Sequence, residues 1–176
     1  MSTVRPSALP AGALLDRYRL DGAYTDCYCV PVACDVSLVQ YVEAFYTTGL
    51  FKLERLIIKW AVSLPSSDFE AAQLARGSID RFAAWTVEER NDSQLLLCDI
   101  QQRTRSWLMI ESAADAQSGA TTLYFGSAVV PIVDAETGER RLGAGFTALL
   151  GFHKLYSRAL LAAARSRLLA KQRESN

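Results

Sequence analysis

Histidine is nearly absent: the chain has one, His153, in 176 residues. That scarcity restricts the available chemistry. Zinc is usually held by four nitrogen or sulfur ligands, with cysteine pairs spaced C-x₂₋₄-C. Here Cys27 and Cys29 stand in a C-x-C, Cys34 and Cys98 lie apart, and no second pair exists. No metal and no cofactor are therefore expected, and the thiols read as reduced and buried. An excess of charge is also missing, since Lys+Arg and Asp+Glu both total 19. Phosphate neutralisation needs a basic surface, so nucleic acid is not an expected partner. No apolar run reaches the roughly 18 residues of a membrane span. The opening "MSTVRPSALPAGALLDRYRL" places Arg5, Pro6 and Pro10 where a secretory signal needs an unbroken apolar stretch. The expected location is the cytoplasm. The phosphate loop G-x-x-x-x-G-K-[ST], the dinucleotide pattern G-x-G-x-x-G and the nucleophile elbow G-x-S-x-G are all missing.

What is present suits one globular domain. Half the residues are hydrophobic and 22% are charged, and a chain of this length buries roughly 70% of its unfolded surface. Residues 1–20 read as a weakly structured N-terminal segment with a short helical turn, and 21–172 as the domain. "YTDCYCVPV" (24–32) has the composition of a strand, with Pro31 near an edge. Ser37 with Gln40, and Ser67 with Glu70, are capping-box signatures that start helices. Gly49 and Gly77 are the matching stops. Between them, about 50–62 carries Leu53, Leu56, Ile57 and Trp60 at helical spacing. The period then changes. "RFAAWTVEER" (81–90) and "SQLLLCDIQ" (93–101) flank the turn Asn91-Asp92, followed by strands over 103–112 and 121–133. Short connections make these an antiparallel meander. A long helix over about 145–171 ends the chain. Five strands cannot easily close a barrel, so that helix must cover the apolar face of the sheet.

This order of elements resembles the helix-grip superfamily of START-like lipid-binding domains, polyketide cyclases and plant pathogenesis-related proteins, over about residues 24–170. The strings "VEAFYTTGLFKLERLI", "RTRSWLMIE", "LYFGSAVVP" and "GFHKLYSRALL" also look like a family of uncharacterised bacterial proteins of this type. The resemblance implies an α+β fold in which a curved antiparallel sheet grips the C-terminal helix around a cavity. It implies no known activity. Many relatives have six or seven strands against the five counted here, which points to a small or filled cavity.

The candidate residues follow from spacing. On the last helix Phe146, Leu149, His153, Tyr156, Leu160, Ala164 and Leu168 form one stripe, opposite Lys154, Arg158, Arg165 and Lys171. His153 is then a general base, a ligand handle, or a neutral core histidine. Along 103–112, Arg103, Arg105, Trp107, Met109 and Glu111 share one face, and both faces are mixed. If Trp107 and Met109 face inward, Arg105 follows and pairs with Asp99, Glu111 or a ligand carboxylate; otherwise it sits at the strand end, solvated or bridged to Asp99 across the hairpin. Asp99 interrupts "LLLCDI" as an arginine partner, a solvent residue or a catalytic carboxylate. Trp85 and Tyr124 are core aromatics or pocket wall. The expectation is a small apolar or amphipathic ligand bound among Trp85, Asp99, Arg105, Trp107, Tyr124, His153 and Tyr156. The alternatives are a cyclase- or hydratase-like enzyme using His153, or an interaction protein with a filled core.

Overall fold

The computed structural model describes residues 3–53, 66–113, 119–133, 137–142 and 144–175, the side chains of 144–149 and 175 excepted. In chain order it contains β1 (Arg5–Pro6), α1 (Asp16–Leu20), β2 (Tyr24–Val32), α2 (Leu38–Tyr46), α3 (Asp68–Arg76), β3 (Arg81–Phe82), β4 (Trp85–Arg90), β5 (Gln94–Asp99), β6 (Thr104–Ser112), β7 (Thr121–Val129), β8 (Ile132–Val133), β9 (Arg140–Arg141) and α4 (Ala144–Ser175). Seven strands form one antiparallel sheet in the order β1-β2-β7-β6-β5-β4-β3, and β8 pairs with β9. Pairing of β2 with β7 joins the first long strand to the end of the meander.

The expected five strands become seven through two short edge pieces. Arg5 and Pro6 pair with Cys29 and Tyr28, extending the sheet beyond β2. The run 81–90 breaks in two because Ala83 takes φ 51°, a left-handed conformation that interrupts a strand. Pro31 lies past the end of β1, on the stretch of β2 that pairs with β7 alone, where its missing N–H leaves no unmet partner.

Both capping boxes form. Ser37 accepts from the Gln40 amide while the Gln40 side chain accepts from Ser37, and Ser67 with Glu70 does the same. Gly77 closes α3 at φ 73°. Gly49 does not end α2; that helix stops at Tyr46. Two threonines make the break. Thr47 Oγ1 donates to the Glu43 carbonyl at 2.7 Å, and Thr48 Oγ1 accepts from the Phe51 amide at 3.1 Å. Thr48 thereby caps a new helical stretch over 49–53. The expected helix over 50–62 lies outside the described residues beyond Leu53, as do most of the loop at 113–119 and the side chains of Phe146 and Leu149.

The sheet buries both faces. On the inner face α4 inserts Leu160, Leu161, Ala164 and Leu168, each at most 5% exposed. They pack with Val30, Leu123 and Phe125 of the sheet and Phe45 of α2. This is the helix-grip arrangement. On the outer face Cys27, Leu96, Trp107, Met109 and Ala128 form a second cluster under Ala13 and Leu15. The N-terminal segment is therefore an integral cover of the sheet, with Leu15 fully buried, and not a weakly structured lead-in. Gln94 fixes it: Oε1 accepts from the Leu14 amide at 2.8 Å and from Trp107 Nε1 at 2.9 Å, and Nε2 donates to the Gly12 carbonyl at 3.0 Å. Gly126 makes room for it. A Cβ there would stand 2.8 Å from the Asp26 carbonyl oxygen and 3.0 Å from both Leu15 and Trp107. Among the described residues no helix is long and apolar enough to cross a membrane.

Candidate functional site

Strand alternation sorts the candidates between the two faces. On β6, Thr104, Ser106, Leu108 and Ile110 turn inward, and Arg105, Trp107 and Met109 turn outward. On β7, Leu123, Phe125 and Ser127 turn inward, and Tyr124, Gly126 and Ala128 outward. The register then places Asp26 of β2, Ser127 of β7 and Ser106 of β6 side by side across the inner face. Three polar residues in otherwise apolar strands thus form one continuous row.

Above part of this row, between the sheet and α4, lies a cavity of about 180 Å³. Phe45, Phe51, Trp85 and Phe125 give it aromatic walls; His153, Tyr156, Ser157 and Leu160 contribute the α4 side; Ser106 and Ser127 contribute the sheet side. Larger hollows exist, up to about 620 Å³ beneath Ser7–Ala11, but their walls are more polar. The smaller cavity has the more apolar wall, which is what a site for a small apolar molecule requires.

His153 is held at the polar end. Its Nε2 lies 2.8 Å from Ser127 Oγ and 3.2 Å from Asp26 Oδ2. The Ser127 hydroxyl donates to Asp26 Oδ1 at 2.6 Å, and the Ser127 amide donates to the same oxygen at 3.1 Å. An ionised carboxylate only accepts, so the one hydroxyl proton of Ser127 is committed to Asp26. His153 Nε2 must then carry its own proton and donate. A Ser-His-Asp relay needs the reverse: an Nε2 that takes the serine proton, with the carboxylate on Nδ1. Here serine and carboxylate share one ring nitrogen. The group is a polar clasp between α4 and the sheet, with the Asp26 side chain 8% and the His153 side chain 23% exposed. Tyr24 adds an edge-on ring contact to the imidazole, centroids 6.4 Å apart.

Two further polar features lie behind residues of the cavity wall. Ser106 Oγ and Tyr46 Oη lie 3.3 Å apart and satisfy each other. The Trp85 indole N–H is buried and has no acceptor. Buried donors in folded proteins are rarely left so.

No family model and no curated protein matches the chain. The functional reading therefore stands on this geometry.

Of the residues singled out in the sequence, Trp85, His153 and Tyr156 meet at the cavity. Four do not bring their side chains there. Trp107 is fully buried on the outer face against the N-terminal segment. Tyr124, also outward, donates to Glu111 at 2.7 Å; burial, and then this bond, raises its phenol above the usual value. Arg105 borders the cavity only through its main chain, because its side chain leaves by the outer face. There Nε meets Glu88 at 2.6 Å and Tyr18 Oη at 2.8 Å, with the guanidinium 4.7 Å over the Tyr18 ring. Burial lowers its pKa, but the Tyr18 bond and the Glu88 charge outweigh that and raise it on balance. Among the described residues Asp99 pairs with no arginine side chain; Oδ1 accepts from the amides of Arg103 and Thr104 at 2.7 and 3.0 Å and shapes the β5–β6 turn.

Sequence reasoning missed Asp26, Ser127 and Ser106. The signal was available. Asp26 shares its alternation with Tyr28 and Val30, and Ser127 with Leu123 and Phe125, so each is a polar residue on an inward register. Among the described residues no cluster of three or more His, Cys, Asp or Glu side chains is arranged to hold a metal ion.

Proposed function

We propose that this protein binds a small apolar or amphipathic molecule, non-covalently, in the cavity between the sheet and α4. The observation that carries the reading is the cavity itself: about 180 Å³ walled mainly by Phe45, Phe51, Trp85 and Phe125. Apolar walls supply affinity and a few polar groups orient the occupant. An apolar cavity of about 150 Å³ is large enough for benzene, so the space suits a single ring or a short chain. The helix-grip arrangement supports placing the protein in that superfamily. The equal charge totals favour a small molecule over nucleic acid, and four unpaired thiols fit a cytoplasmic setting.

The clasp favours binding over His153-based catalysis, because the imidazole nitrogen at the sheet is a donor and not a base. Native mass spectrometry of freshly purified protein, followed by denaturation and extraction, tests the reading. A stoichiometric molecule with the bulk of about one ring is the expected result. A ligand-free mass, together with no uptake of benzene-sized probes, would overturn it.

A further inference from the structure

We infer that the outward face of α4 docks on a lipid surface bearing anionic headgroups, with the helix lying along the interface and not through it. This goes beyond the cavity reading and does not depend on it.

The first observation is an apolar strip on the side of α4 turned away from the sheet. Leu160, Leu161, Ala164 and Leu168 face the core. On the opposite side Phe152, Leu155, Ala159 and Ala162 recur at steps of three and four residues, and all four are exposed. Phe152 is 64% and Leu155 66% exposed. A helix that is apolar on both sides is ordinarily covered on both. Phe152 is also fixed in place. Its ring stacks on that of Tyr156, centroids 5.8 Å apart and planes 14° from parallel. An aromatic ordered before contact loses little freedom on docking.

The second observation is charge. The α4 sequence holds six basic residues and one acid, Glu174. The chain as a whole totals 19 of each sign, so the remainder is net acidic and the positive charge is concentrated on this helix. Lys154, Arg158 and Arg165 follow one flank of the strip. Arg165 Nε reaches the Pro31 carbonyl at 3.3 Å, which sets that flank on the β2 side. Among the described residues neither Lys154 nor Arg158 meets an acid.

Charge chooses the occupant. An apolar strip alone suits lipid or protein. A second copy packed antiparallel on the strip would set its cation row against this one, and such like-charge juxtaposition is costly. Anionic headgroups neutralise the row. The long Lys and Arg side chains keep their charges at headgroup level while Phe152 and Leu155 enter the acyl boundary. The strip is about 15 Å long, which suits a helix lying on the surface.

The experiment is co-sedimentation of the full chain with vesicles of phosphatidylcholine and phosphatidylglycerol, 70:30, against vesicles of phosphatidylcholine alone. Binding to the mixed vesicles is expected, at least about tenfold tighter than to the neutral ones, since each basic residue near such a surface is worth about fivefold. Lys154→Gln with Arg158→Gln should then weaken it about 25-fold. Leu155→Ser should weaken it about tenfold. Phe69→Ser, on α3 and as exposed at 68%, should leave it unchanged. No binding, equal binding to both vesicles, or loss in Phe69→Ser as large as in Leu155→Ser would overturn the inference. A dimer that forms with concentration and is lost in Leu155→Ser, without vesicle binding, would give the face to a second copy and overturn it too. So would a large fall in melting temperature in Leu155→Ser without vesicle binding, which would mean that the chain covers its own strip. Should Leu155→Ser not fold, the double variant at Lys154 and Arg158 still decides, because it alters exposed side chains alone.

Discussion

Replacing Asp26 by alanine should cost far more than its single charge suggests. The carboxylate is 8% exposed and accepts from the Ser127 amide, the Ser127 hydroxyl, His153 Nε2 and, at 3.4 Å, Tyr24 Oη. The Ser127 amide keeps the Asp26 main-chain oxygen as its ladder partner, so the loss falls on the Ser127 hydroxyl and on His153 Nε2. Ser127 is 3% exposed, so water cannot easily repair it. A buried donor left unmet costs roughly 1–3 kcal/mol. One such hydroxyl plus a weakened His153 contact gives about 2–4 kcal/mol. For a chain of this size each kcal/mol moves the melting temperature by about 2–4 °C, so Asp26→Ala should melt roughly 5–15 °C lower. His153→Ala removes one donor from a side chain that is 23% exposed, and Asp26 keeps both Ser127 bonds. Its cost should be about 1 kcal/mol. Urea denaturation of both single variants and the double variant measures the costs and their coupling. An Asp26→Ala cost within about 0.5 kcal/mol, the usual size of a surface change, would refute the clasp. So would a His153→Ala cost as large as that of Asp26→Ala.

Three other outcomes follow from the same structure. Gly126→Ala should lose about 1–3 kcal/mol through overpacking, because its Cβ would meet the Asp26 main-chain oxygen at 2.8 Å; an unchanged urea midpoint would show that β2 or the N-terminal segment yields freely. Arg105→Ala should loosen the N-terminal cover, seen as faster proteolysis within residues 1–20, and leave uptake of benzene unchanged; loss of uptake in a folded variant would return Arg105 to the cavity. Burial, then Cys29 and Asp26, pushes the Cys27 thiol from 9.0 up to about 12. A folded-state pKa raised in this way favours folding while the thiol is neutral in both states. That contribution is whole below about pH 9 and is lost as pH rises from there towards 12. Urea midpoints should fall over that window, less so in Cys27→Ala. Because the thiolate is the reactive form, Cys27 should resist thiol reagents at pH 8 until the chain unfolds. Prompt reaction of all four thiols would contradict its burial.

Periodicity carried most of the fold. Helix starts marked by Ser37-Gln40 and Ser67-Glu70 form as their side chains predict, and the Gly77 stop takes the left-handed conformation that glycine permits. These are local devices, decided within four residues. The errors needed distant information. Nothing near Arg5 announces that it will pair with Cys29, and Ala83 is not a residue whose type predicts a positive φ. The N-terminal segment looked loose because its own sequence holds few strand or helix signals. Its order comes from Gln94, 80 residues from Leu14, and from the gap left by Gly126.

The site was harder to read for a related reason. Conspicuous residues drew attention, and the outer face had already claimed most of them. A sheet buried on both sides gives mixed alternation on each strand, so Arg105 and Trp107 next to Ser106 and Leu108 carry no label of inside or outside. The structure resolves this through their partners. Trp107 has Gln94 and Leu15; Arg105 has Glu88 and Tyr18; Tyr124 has Glu111. Each of these side chains already has its interactions within the chain and offers nothing to a ligand. The cavity is instead bordered by short, quiet side chains, Ser106, Ser127 and Ser157, which leave space because they are small. Trp85 is the exception. Among the conspicuous residues it packs on the inner cluster and lines the cavity, whereas the Nε2 of the lone histidine is already held by Ser127 and Asp26.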